Sequence, residues 1–181
     1  IFDEHGMEIF VFGEDFTSPA DLALDDDGNI FVLTKRYQTF TVHVCNYRGE
    51  RVSTITPSGV PAAFADFKPD RLAYTDGLLY LVDSSLLIVV VVDTDGTFKR
   101  GYDIYAALRR LSADDERRQE ELRELGLNGF SVDEHGNMYF TIPSLFAAFR
   151  MSPDGELAGF GKAGSGLGKF GVTGGIVTDE T

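Results

Sequence analysis

Apolar residues in this chain come in short runs, mostly of three to seven, broken at near-regular intervals by turns built from Asp, Asn and Gly. Runs of that length with alternating polar positions predict β-strands rather than amphipathic helices. Three stretches superimpose by residue type: Leu22–Leu33, Leu72–Val82 and Phe130–Phe140. Each reads as a short apolar strand, an Asp-rich turn containing Gly, and a second strand with an aromatic residue. At the bend Asp and Asn bond their own backbone, and Gly takes the positive φ that a tight hairpin requires.

A second hairpin follows each copy. Thr41–Val44 leads through Asn46–Gly49 into Arg51–Ile55, Leu87–Val92 through Asp93–Gly96 into Thr97–Lys99, and Ala148–Arg150 through Pro153–Gly155 into Glu156–Phe160. Four antiparallel strands per unit, repeating at roughly 40–50 residues, give an all-β chain of propeller blades. Residues 18–57, 69–102 and 127–161 are the expected blades. Residues 1–17 read as the end of a preceding blade and 172–181 as the first strand of a following one, so the expected architecture is a partial or half ring.

Two stretches carry a family resemblance. Phe160-Gly161-Lys162-Ala163-Gly164-Ser165-Gly166-Leu167-Gly168-Lys169-Phe170 precedes Gly175-Ile176-Val177-Thr178-Asp179, and Pro19–Asp25 precedes Gly28–Val32. Both resemble the NHL-repeat family of β-propellers, in which a Phe-Gly and a Gly-rich linker lead into an innermost strand ending in Asp. Thr173 stands where that family usually has Pro. The resemblance implies a ring most often of six blades, of which this chain holds about half. A homodimer closing the ring is one way its open edges would be covered.

The repeat breaks at residues 103–126. Asp103 reads as the cap of a short helix through Leu111, and Ser112 as the cap of a second over Ala113–Leu125, with Gly126 as its stop. Asp114–Arg118 and Arg117–Glu121 have i,i+4 spacing. This helical insert is expected at the channel-mouth face, as a lid or partner-binding arm or as a decorated loop. The mouth itself, built by loops entering the innermost strand and leaving the second, would carry Asp21, Lys35, Arg36, Asp70, Arg71, Asp83 and Asn128. These are the candidate ligand-binding residues.

Composition narrows the partners. In 181 residues there are 29 Asp and Glu against 16 Lys and Arg, a formal net charge of −13. Such a surface repels phosphates and anionic lipid, so no nucleic acid and no membrane insertion are expected; Leu86–Val92 is too short to span a bilayer. Cys45 is the sole cysteine and excludes an internal disulfide.

Catalytic patterns are sparse. His5, His43 and His135 show no zinc spacing, and Asp25-Asp26-Asp27-Gly28-Asn29 lacks the ligand alternation of an EF-hand. Gly164–Gly168 follows no Walker pattern, since Phe170 succeeds Lys169, and no Gly-x-Ser-x-Gly elbow occurs. No catalytic residue, metal or cofactor is expected. The sequence thus suggests a non-catalytic binding or scaffolding propeller whose ligand is a protein or a small molecule. An extracytoplasmic (periplasmic or secreted) location is expected by analogy with bacterial proteins of similar architecture. The alternative is a gluconolactonase-like metal-dependent hydrolase or lyase, to which Asn128, Asp21 and Asp70 would contribute on the channel axis.

Overall fold

The computed structural model describes residues 5–9, 11–111 and 125–178. Twelve strands form three antiparallel sheets of four. The first contains β1 (Pro19–Leu24), β2 (Ile30–Arg36), β3 (Thr39–Cys45) and β4 (Arg51–Ile55). The second contains β5 (Arg71–Thr75), β6 (Leu78–Asp83), β7 (Ile88–Asp93) and β8 (Phe98–Asp103). The third contains β9 (Phe130–Val132), β10 (Met138–Ile142), β11 (Ala147–Met151) and β12 (Leu157–Phe160). In each sheet the strands lie in chain order, as a meander of hairpins demands. The first strands β1, β5 and β9 lie side by side, which sets the sheets radially as blades.

Turn chemistry explains the hairpins. Asp25 Oδ1 accepts the backbone N–H of Asp27 and of Asn29, while the Asn29 side chain donates to Asp25 Oδ2. Asp133 repeats the pattern with His135 and Asn137. Asp76 and Gly77 both take positive φ (47° and 73°), so the two-residue β5–β6 turn twists with its strands. Asp25 and Asp133 are therefore backbone acceptors in tight turns.

Burial follows the two-residue period of a strand, with both faces buried in the central blade. Tyr80, Val82, Val89 and Val91 face the third blade, where they meet Met138, Phe140, Phe149 and Met151. Leu79, Leu81, Val90 and Val92 face the first blade and meet Phe31, Leu33 and Val42. Hence β7 is apolar nearly throughout: no face of it sees water. The far face of the first blade buries Ile30, Val32 and Cys45 under Phe12 and Phe16, but leaves Leu22, Leu24 and Val52 more than half exposed.

The described part of the expected N-terminal hairpin, residues 5–9 and 11–13, contains no extended strand. At the other end, Thr178 bonds Ser131 and the Val132 carbonyl, so the chain returns beside β9 where a next innermost strand would run. Helix α1 (Ile104–Leu111) is capped by Asp103, whose Oδ1 accepts the Ala106 N–H at 2.8 Å. The second expected helix, from Ser112, lies almost wholly outside the described residues, and its last member, Leu125, is not helical.

Phe140 is fully buried and stacks on Phe149 with ring centroids 5.6 Å apart. Phe140→Ala is expected to lower unfolding free energy by about 3–5 kcal/mol, read as a fall in the urea midpoint at unchanged m-value.

Candidate functional site

Strand polarity brings the seven candidate mouth residues to one end of the blades. Asp21, Asp70, Arg71 and Asn128 stand at or just before the innermost strands, Lys35 and Arg36 end β2, and Asp83 ends β6. Most of their polar atoms are occupied by the chain itself. Asp21 accepts the Leu22 N–H and, across the blade junction, the Leu72 N–H, both at 2.9 Å. Asp70 accepts from Ser84 N at 3.0 Å, and Lys35 donates from Nζ to the Lys68 carbonyl at 2.8 Å. Arg71 reaches Asn128 Oδ1 at 3.5 Å, which ties the second blade to the third, while its Nε is buried without a partner.

Asp83 is the most embedded of the seven, at 4% exposure. Its carboxylate accepts backbone N–H groups from Lys68, Ser85 and Leu86. That arrangement folds the β6–β7 turn and leaves Asp83 little capacity for a ligand. Arg36 and Asn128 are exposed. The mouth is thus a polar rim stitched by inter-blade hydrogen bonds, from which Arg36 projects.

No three His, Cys, Asp or Glu side chains gather into a metal-binding group among the described residues. Asp21 and Asp70 spend carboxylate oxygens on backbone N–H groups, and the Asn128 carbonyl oxygen faces Arg71. Among the described residues no helix is long and apolar enough to cross a membrane.

Helix α1 starts at the mouth end, where the Ile104 N–H bonds the Leu87 carbonyl. It packs against β7 and β12, because Ile104, Ala107 and Leu108 belong to the core between the second and third blades. The described part of the insert is accordingly a wedge in the blade junction rather than a cover over the channel. Its outer side exposes Tyr105, Arg109 and Arg110, and Leu111.

One cluster gave no signal in the sequence. Phe16 lies over His43 with centroids 5.0 Å apart, Arg51 lies over the Phe16 ring at 4.8 Å, and Asp15 pairs with Arg51 at 2.8 Å. His43 Nε2 meets Thr34 Oγ1 at 3.1 Å, and Nδ1 is buried with no partner. Burial, then the Arg51 charge, lowers the His43 pKa, and Asp15 opposes them weakly. These residues come from four separate segments, so only folding assembles them. Cys45 beside them is fully buried, and that burial raises its thiol pKa.

No protein-family model matches the chain, and no curated protein sequence matches it. Solved structures do. The chain is similar to a streptogramin B lyase structure at 15% identity, covering 90% of this chain and 45% of that one, with a TM-score of 0.56. It is also similar to a Bacteroides thetaiotaomicron protein of unknown function (18% identity, 92% and 44% coverage, TM-score 0.58). A third is YCF48 bound to D1 peptide (9% identity, 82% and 41% coverage, TM-score 0.52). These are β-propeller proteins, and the likeness is one of fold. The chain spans less than half the length of each. It is an all-β propeller segment of four-stranded blades with a short helical insert.

Two expected outcomes test this geometry. Asp83→Ala removes the acceptor of three part-buried backbone N–H groups and is expected to cost about 1–3 kcal/mol in urea denaturation. For His43, a folded-state pKa below the ordinary value means that the unfolded chain binds the extra proton. The stability it contributes is full above the ordinary imidazole pKa and is lost as pH falls from there through the folded pKa. His43→Gln should therefore flatten the decline in urea midpoint between about pH 7.5 and 5.

Proposed function

We propose that this chain is a non-catalytic binding or scaffolding module related to the NHL-repeat propellers, working outside the cytoplasm. It presents its mouth rim and the outer side of its helical insert to a protein or small ligand. The observation that carries this reading is the anchoring of α1. Its apolar face is locked between two blades while Tyr105, Arg109 and Leu111 face outward. A helix held so firmly presents its outer face at little ordering cost. Arg36 adds an exposed cation at the rim of an otherwise acidic molecule.

The mouth residues support recognition better than chemistry. Their carboxylates hold backbone N–H groups, across a blade junction for Asp21 and within the second blade and the segment leading into it for Asp70 and Asp83. The streptogramin B lyase likeness is one of fold, and catalysis is a property of sites rather than of folds.

The test is a comparison of surface variants by cross-linking and affinity measurement against candidate partners. Arg36→Glu, and separately Tyr105→Ala with Arg109→Glu, should weaken binding at least about tenfold at unchanged thermal midpoint. A partner bound equally well by all variants sinks the reading. Saturable uptake of one divalent ion in equilibrium dialysis, removed by Asp21→Asn, would favour the hydrolase or lyase alternative instead.

A further inference from the structure

Away from the mouth, at the end of the blades that carries the acidic turns, a cleft of about 470 Å³ opens between the second and third blades. That volume lies in the range of small-molecule sites. Register builds its floor. Tyr80 on β6 pairs with Val91 on β7, and Val91 pairs with Arg100 on β8. The three residues form one row across the blade, all on the face turned to the third blade. The opposite wall is the β9–β10 turn with Pro153 beside it.

Two side chains in this row keep donor capacity toward the cleft. Tyr80 is 4% exposed, lines the cleft, and its hydroxyl makes no hydrogen bond with any described residue. The hydroxyl sits against Gly136, where an added Cβ would come within 3.2 Å of it, so the turn passes close by because residue 136 has no side chain. The ring is buried while the hydroxyl itself is not sealed from solvent, so it is open to an acceptor in the cleft. Arg100 forms no ion pair among the described residues, although the molecule carries a net charge of −13. Arg100 is exposed; its Nη1 donates to the Pro153 carbonyl at 3.3 Å, beside the Tyr102 hydroxyl that also bonds it. Neighbouring Lys99, by contrast, is neutralised by Asp93 at 2.7 Å.

A guanidinium without a carboxylate and a phenol without a partner, on either side of the apolar Val91, ask for one kind of ligand. It has a carboxylate for Arg100, a second oxygen acceptor for Tyr80, and an apolar group to lie on Val91 and Leu78. Asp76 and Glu134 also line the cleft and disfavour a multiply charged anion such as phosphate. We propose that this inter-blade cleft binds a small organic monocarboxylate with a second oxygen acceptor, the chemistry of an acylated amino acid. The site does not depend on the mouth-face reading, because it shares no residue with it.

The probe is N-acetyl-leucine, followed by ¹H–¹⁵N NMR titration of the whole chain, with N-acetyl-leucinamide and inorganic phosphate as controls. The acid should give saturating shifts at Val91, Arg100 and Gly136, while the amide and phosphate give none. Arg100→Gln should weaken binding at least about tenfold, as loss of a charge-assisted pair does. Tyr80→Phe should weaken it several-fold without lowering the thermal midpoint, because the hydroxyl has no partner in the folded chain to lose. Arg36→Ala at the mouth should leave binding unchanged. Equal binding of acid and amide, equal affinity in Arg100→Gln, or shifts that never saturate would each overturn the proposal.

Discussion

Every element of this molecule depends on one contact, the face-to-face burial of neighbouring blades. A four-stranded sheet has two faces, and the second blade covers both with other sheets. Val89 and Val91 serve one junction while Val90 and Val92 serve the other. Leaving either face in water would expose a contiguous apolar sheet, and burying such side chains is the main favourable term of folding. The hairpin turns, the inter-blade hydrogen bonds and the docking of α1 all presuppose that stacking.

The polar groups at the two ends of the blades gain their meaning from it. At one end Asp21, Asp70 and Asp83 hold backbone N–H groups that the converging strands would leave unsatisfied, so the rim is as much a fastening as a surface. At the other end the blades part, and the row of Tyr80, Val91 and Arg100 is left facing a gap. A wedge-shaped junction explains the difference. Side chains fill the interior of the junction, while toward its edge the fill gives way to a cleft.

Alternation and turn chemistry made the strands legible in the residues alone. Asp25-Asp26-Asp27-Gly28-Asn29 and Asp133-Glu134-His135-Gly136-Asn137 could be read as turns because Asp and Asn satisfy their own backbone wherever they fold. The continuous run around Val89–Val92 announced a strand buried on both sides, and Asp103 announced a helix start. The placement of the mouth residues at one end followed from strand polarity, since each hairpin reverses direction once.

What a residue bonds to across a junction was not legible. Asp83 looked like a ligand-facing acid, and only the packed turn showed three backbone N–H groups converging on it. The insert could be read as an arm over the channel or as a decorated loop, and the sequence did not show that the apolar side of α1, in its described part, is drawn into the blade junction. His43, Phe16 and Arg51, and likewise Tyr80, Arg100 and Gly136, are far apart in the chain and carry no shared motif. The sequence by itself determined strands, turns and their order, because these depend on neighbours along the chain. Which polar groups are spent on the fold and which are left unpaired was decided by the tertiary structure, because satisfaction of a donor depends on what other blades bring within bonding distance.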